Sequence, residues 1–280
     1  MQDNKALNEW VIRLSESELP VLKQTARELA ALREDDNKLS AHSIANVIKR
    51  DPVMTVKLLR YLQLHKRRAQ TTDVVQVEQA LLMLGMESFF SHVVPKLLIE
   101  DVFKPHIVAL PPILRVIHRS HRASEYAYDW ALRLHDMHFE EVRITALLHD
   151  IAEILMWCFA PDDMLKIRDM QKNDKTLRSR TAQEQVLGFS LLALQKSLNI
   201  HWALPELLQT SLDESCALQQ RVRNVTLAIN LARHSANGWD DAALPDDYRD
   251  IGVLLHIPTE QAMLMVTAEA GMACDLSKPH

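Results

Sequence analysis

Apolar residues recur at spacings of three and four along nearly the whole chain, and this periodicity restricts the fold to α-helices. Leu29 and Leu32 follow Leu22 and Ala26 in one such stripe, which is the pattern of the buried face of an amphipathic helix. The alternation of apolar and polar residues that marks a half-buried strand is nearly absent. We therefore predict an all-α protein.

Two local breaks divide the periodic pattern into short helices. Pro52 follows Asp51 inside the stretch 40–64, and proline suits the first helical turn after an aspartate cap, so we predict two helices there. Gly85 follows the helical stretch 79–84 and predicts its C-terminus. Short helices joined by polar turns favour a layered helical architecture.

The composition excludes several classes of protein. Apolar residues make up 48% and charged residues 25% of the chain, which excludes a disordered chain. Only 5 glycines occur, without a GxGxxG or GxxxxGK pattern, so no glycine-rich phosphate loop is expected. The net charge of −5 disfavours nucleic acid as a partner. A local basic cluster, Arg60 with residues 65–68, is interpreted as a solvated helix end.

The cysteines and the N-terminus indicate the compartment. Cys158, Cys216 and Cys274 are odd in number, widely spaced and without a CxxC pair, so a reducing compartment is expected. The first ten residues are polar and lack the apolar core of a signal peptide. No run of about 18 apolar residues predicts a membrane span. We expect a cytoplasmic protein without a membrane partner.

The stretch 117–158 carries the residues best suited to chemistry. It is typical of two amphipathic antiparallel helices joined near residues 135–139. The second helix contains the adjacent pair His149 and Asp150, and the first contains His121 on a mostly apolar row. Imidazoles and carboxylates that converge from rigid helices can bind a divalent metal. The alternative is a buried, hydrogen-bonded cluster without a metal.

The order of five segments resembles a known family. LLHDIAEIL after an upstream histidine resembles the HD superfamily of metal-dependent phosphohydrolases. The resemblance narrows to the HD-related output domain (HDOD) family, and it covers residues 15–212. The segments that carry it are SELPVLKQTARELAAL, IANVIKRDPVMTVKLLRYLQ, VEQALLMLGMESFFSHVV, RSHRASEYA with ALLHDIAEILM, and EQVLGFSLLALQKSLNIHWALPELL.

This resemblance implies the domain organisation. An N-terminal helical lobe, residues 15–105, is expected to pack on an HD-like helical lobe, residues 106–212. Residues 213–280 are expected to form C-terminal helices that complete the HD-like lobe.

The resemblance also implies an incomplete site. His121, His149 and Asp150 fall on three metal-binding positions of HD hydrolases and are the candidate ligands for Mn²⁺, Fe²⁺ or Mg²⁺. The fourth ligand of the superfamily is an aspartate on a late helix, where this chain offers Asn230 or Arg233. These two residues are instead candidates for binding an anionic effector.

From these departures we predict a bacterial signalling protein with a degenerate site. It would act through a signalling protein partner or a small anionic effector bound between the lobes, without catalysis and without an assigned catalytic residue or cofactor. A metal-dependent phosphohydrolase acting on a nucleotide or cyclic dinucleotide is the alternative, because three ligands can still hold an ion and activate water.

Overall fold

A computed structural model describes residues 3–65 and 76–269, and these form helices joined by short turns. No strand occurs within these ranges, apart from an isolated bridge between Val21 and Leu98. The prediction of an all-α fold is therefore confirmed. The helices are α1 (Asp3–Glu16), α2 (Lys23–Glu34), α3 (Ala41–Ile48), α4 (Pro52–Leu64), α5 (Val77–Leu84), α6 (Met86–His92), α7 (Ile99–Val102), α8 (Leu110–Arg133), α9 (Phe139–Leu148), α10 (Ile151–Phe159), α11 (Pro161–Asn173), α12 (Ser179–Leu187), α13 (Leu191–His201), α14 (Glu206–Thr210), α15 (Gln220–His234), α16 (Leu244–Leu255) and α17 (Thr259–Glu269).

Both predicted helix breaks are confirmed. The Asp51 carboxylate accepts the backbone N–H groups of Val53 and Met54 at 2.9 and 3.0 Å, so it caps α4 at the helix terminus where donors lack partners. Gly85 ends α5 with a φ of +82°, a conformation that glycine adopts without steric cost.

The apolar core forms two clusters. The first joins the N-terminal lobe, α1–α7, to α10–α13, and it includes the fully buried Leu29, Leu58 and Leu194. The second is built around the buried Trp130 of α8, where α15 and α16 contribute residues such as Val225 and Ile251. The N-terminal lobe thus packs on an HD-like lobe, in which α15 packs on α8 and α9, α16 packs on α15, and α17 packs on α16. The domain limits remain a prediction.

Buried polar contacts fix the two lobes to each other. Lys49 Nζ lies 2.8 Å from Glu140 Oε1, and these side chains are 10% and 13% exposed. The Trp202 indole N–H donates to Ser15 Oγ at 2.8 Å.

Within the basic cluster, Arg60 donates to the Leu14 carbonyl at 3.1 Å, so its guanidinium has an intramolecular partner. Residues 66–68 of the basic cluster lie outside the described residues.

Cys158 and Cys216 carry free thiols, and Cys274 lies outside the described residues.

Taken singly, none of the described helices combines the length and apolar character of a membrane span. Two strongly bent helix pairs do so jointly, by length and composition alone: 139–159 with 161–173, and 244–255 with 259–268.

Candidate functional site

His149 and Asp150 lie at a junction between two helices. The expectation that one helix contains them is wrong, because α9 ends at Leu148 and α10 begins at Ile151. Asp150 adopts φ −102° and ψ 22°, outside the helical region, and aspartate is a poor residue for a helix interior because its side chain competes for nearby polar groups. At the junction, His149 Nδ1 lies 2.8 Å from Asp150 Oδ1.

Gln195 of α13 stabilises this junction. Its Oε1 accepts the Ala152 N–H at 2.9 Å, and its Nε2 donates to the Leu148 carbonyl at 3.3 Å and to Asn199 Oδ1 at 2.8 Å. Backbone groups freed at helix ends need such partners when they are buried. The position of the pair is therefore set by a side chain distant in sequence.

The cation that faces the pair is Arg119 of α8. Its Nη2 lies 2.6 Å from Asp150 Oδ2 and 3.1 Å from Glu153 Oε2. The Arg119, Asp150 and Glu153 side chains are 19%, 14% and 29% exposed. Sequence reasoning missed both Arg119 and Glu153. The available signal was that Glu153 follows Asp150 by three residues, the spacing at which helical neighbours meet.

Arg119 and Asp150 stabilise each other's charge, whereas Asp150 and burial both oppose the charge of Glu153. Burial alone would raise the pKa of Asp150, but the His149 hydrogen bond and the charge of Arg119 outweigh it, so the pKa lies well below its usual value. Burial raises the pKa of Glu153, because Arg119 offsets only part of the desolvation cost. Burial opposes the charge of Arg119, yet the two carboxylates still raise its pKa. Arg119 and Asp150 are therefore a charged pair at neutral pH.

His121 faces a different part of the molecule. It lines a cavity of about 340 Å³ between α2, α3 and α8, together with residues such as Glu28 and Arg50. Its Nε2 is buried without a partner among the described residues, and burial lowers its pKa. His149 and Asp150 instead line a cavity of about 240 Å³ beside α12 and α13. The structure thus does not bring His121 to the His–Asp pair.

The groups present do not fit a divalent metal centre. Over residues 3–65 and 76–269, no group of three or more His, Cys, Asp or Glu side chains is arranged to hold an ion. One oxygen of Asp150 contacts His149 and the other contacts Arg119. A metal there would meet a fixed guanidinium charge at close range, where like charges repel strongly.

The two candidate effector residues lie elsewhere. Arg233 is exposed in the last turn of α15, and Asn230 is half-buried on the same helix. Neither lines the cavity of His121 or that of His149 and Asp150. The arginine that pairs with Asp150 is Arg119 of α8. The role of Asn230 and Arg233 in effector binding stays a prediction.

The lowered pKa of Asp150 predicts a specific pH dependence of stability. Because the folded-state pKa lies below the unfolded one, the stabilisation is complete above the usual value of 3.8 and is lost as the pH falls towards the folded value. In the unmodified protein, the free energy of unfolding should fall as the pH is lowered. Asp150→Asn should reduce this slope by up to about 1.4 kcal/mol per pH unit. Urea unfolding between about pH 5 and 3 measures this.

The exposed Asp169 provides the matched control, since Asp169→Asn should leave the slope unchanged. The raised pKa of Glu153 acts with the opposite sign, because its contribution is lost as the pH rises. Equal acid-side slopes for Asp150→Asn and the unmodified protein would contradict the assigned charge pair.

These helices, with a His–Asp pair at the α9–α10 junction, define an all-helical protein of the HD-like class. The family model of the HDOD domain matches residues 19–217. The chain belongs to the HDOD family. The resemblance inferred from the five segments is therefore confirmed.

Solved structures share this fold. A virulence factor from Campylobacter jejuni subsp. jejuni matches with a TM-score of 0.66 at 19% identity, over 96% of this chain and 92% of that chain. The MmoQ response regulator from Methylococcus capsulatus str. Bath matches with a TM-score of 0.63 at 17% identity, over 85% of this chain and 95% of that chain. No curated protein matches the sequence. At identities this low, these matches show that the fold is shared and nothing beyond the fold.

Proposed function

We propose that this protein is a regulatory HDOD protein of a bacterial cytoplasm that acts by binding a signalling partner or a small anionic effector, without metal-dependent catalysis. The main support is the contact of 2.6 Å between Arg119 Nη2 and Asp150 Oδ2. A hydrolase of this class needs a metal to generate hydroxide and to clamp the phosphate. Here the carboxylate that would bind the metal already neutralises a permanent side-chain cation.

The groove between the lobes is suited to a regulatory role. It is the cavity of about 340 Å³ that His121 lines, with Val47 and Arg50 from the N-terminal lobe and Ile117 from α8. A ligand bound there would contact both lobes at once. Any difference in its affinity between two lobe arrangements would shift their populations. The name of MmoQ as a response regulator agrees with a signalling role.

The alternative, a metal-dependent phosphohydrolase, needs His121, His149 and Asp150 around one ion. The separation of these residues between two cavities opposes it. The decisive experiment is elemental analysis of protein grown with Mn²⁺ or Fe²⁺, followed by incubation with Mn²⁺, Fe²⁺ or Mg²⁺ and a panel of nucleotides and cyclic dinucleotides.

We expect metal content well below one ion per chain and no turnover, and His149→Ala should change neither. His201→Ala, at an exposed position of α13, is the matched control. Robust turnover that His149→Ala abolishes and His201→Ala preserves would overturn the proposed function.

A further inference from the structure

A third cavity lies between α8 and the end of α15, and basic side chains dominate it. Its volume is about 320 Å³, and α8 contributes Arg115, His118, Arg119 and Arg122 to its lining. Successive members of this set are three, one and three residues apart, so they lie on one face of the helix. We call this cavity the basic pocket.

The charge of the basic pocket is opposite to that of the whole chain. Three arginines and a histidine line it, none of its lining residues is an aspartate or glutamate, and the chain carries a net charge of −5. Like charges at helical spacings of three and four destabilise a helix. A concave surface that concentrates one sign of charge attracts ligands of the other sign.

Two of the arginines are held in place by neighbours. Arg119 donates through Nη2 to Asp150 and Glu153, and its Nε is buried without an acceptor among the described residues. Arg122 donates to the Tyr126 hydroxyl, and its guanidinium carbon lies 5.1 Å from the centroid of that ring. Groups fixed before binding lose less entropy when a ligand arrives.

The remaining donors are available to a ligand. Arg115 and His118 are exposed on α8 and have no carboxylate partner within the described part of the chain. The C-terminal end of α15 carries a partial negative charge of about half a unit, which is smaller than the positive charge of Arg115 and Arg122. The charge of Arg119 is offset by Asp150 and Glu153. The exposed Arg115 and His118 favour a multiply charged oxyanion such as a phosphate.

The opposite wall of the basic pocket adds an aromatic surface. Trp239 lines it and is half-buried, next to Ser235 and the small side chains of Ala232 and Ala236. An indole can stack on a planar ring such as a nucleobase. The volume of about 320 Å³ lies at the lower end of the range of small-molecule sites.

We propose that the basic pocket binds a single nucleotide, with the phosphate on Arg115 and Arg119 and the base against Trp239. This inference goes beyond the proposed function, since the basic pocket is a different cavity from the groove between the lobes. A bound phosphate would share Arg119 with Asp150 and Glu153. Occupancy of the basic pocket is therefore coupled to the His149–Asp150 junction through one guanidinium.

Isothermal titration of the full chain with AMP, GMP, adenosine and inorganic phosphate tests the proposal. We expect a nucleoside monophosphate to bind more tightly than adenosine or phosphate alone. Arg115→Ser should weaken nucleotide binding by about tenfold, because a hydrogen bond to a charged group contributes about 1.5 kcal/mol. Trp239→Leu should weaken nucleotide binding but leave phosphate binding unchanged. Arg27→Ser, at an exposed position on α2, is the control that should retain full affinity.

Asp150→Asn should change nucleotide affinity in the direction opposite to Arg115→Ser and Trp239→Leu. Because it removes a competing carboxylate from Arg119, nucleotide affinity should rise. Absence of nucleotide binding at millimolar concentration, or binding that Arg115→Ser and Trp239→Leu leave unchanged, would overturn this inference. Neither result would contradict the proposed function. That function is contradicted by metal-dependent turnover that His149→Ala abolishes.

Discussion

Arg119→Leu is expected to lower the free energy of unfolding by about 3 kcal/mol. The substitution removes the cation between two carboxylates and leaves Asp150 and Glu153 at a largely buried site without their charge partner. Removing one member of a buried ion pair typically costs about 3–5 kcal/mol, and the residual exposure of these side chains places the expected loss at the lower end. Urea unfolding at neutral pH measures the effect.

Arg115→Leu is the matched control, because Arg115 lies one turn earlier on α8 and is exposed without a carboxylate partner in the described ranges. Its effect should stay within about 0.5 kcal/mol, as for most surface substitutions. Replacing the carboxylates as well, with Asp150→Asn and Glu153→Gln, should restore part of the stability lost in Arg119→Leu. A loss no larger than that of Arg115→Leu would show that the cluster does not stabilise the fold.

Arg119→His is expected to create a metal site at the His149–Asp150 pair. An imidazole is shorter than the arginine side chain that contacts Asp150 directly, so it leaves a gap towards the His149–Asp150 pair. An ion with metal–ligand distances of about 2.0–2.2 Å can fill such a gap. At a hundredfold excess of Mn²⁺ or Zn²⁺ over the dissociation constant, the variant should gain about 2.7 kcal/mol of stability.

The control for this gain is Arg119→Leu, which removes the cation without adding a ligand. Metal should not stabilise Arg119→Leu or the natural protein, and adding His149→Ala to Arg119→His should abolish the effect. Equal stabilisation of Arg119→His and Arg119→Leu by metal would indicate adventitious binding elsewhere. The geometry inferred for the α9–α10 junction would then be incorrect.

Local sequence chemistry predicted the parts of the fold that local interactions determine. The aspartate and proline at 51 and 52 and the glycine at 85 set helix ends through their own backbone preferences. The junction at Asp150 escaped prediction because the apolar sequence continues on both sides of it. Its backbone groups are satisfied by Gln195, a residue more than forty positions away, and such a partner leaves no local pattern.

Only part of the candidate site could be predicted from the sequence: the His149–Asp150 pair was identified, whereas Arg119 and Glu153 were not. The apolar row around His121 indicated an inward-facing residue, and the side chain is indeed largely buried. Periodicity shows which face of α8 is buried, yet it does not show which neighbour covers that face. Arg119 lies two residues earlier, about 200° around the helix, and this is the direction in which α8 meets Asp150 and Glu153.

The first helix has a practical consequence for dissecting this protein. Helix α1 buries Val11 and Leu14 and supplies the hydroxyl that receives the Trp202 N–H, yet it precedes the segment shared with the family, which starts at residue 19. The shared segment also stops at residue 217, before the helices that cover Trp130. A fragment limited to residues 19–217 would lack both ends of the core. The segment that matches the family model is therefore shorter than the segment that carries the complete core.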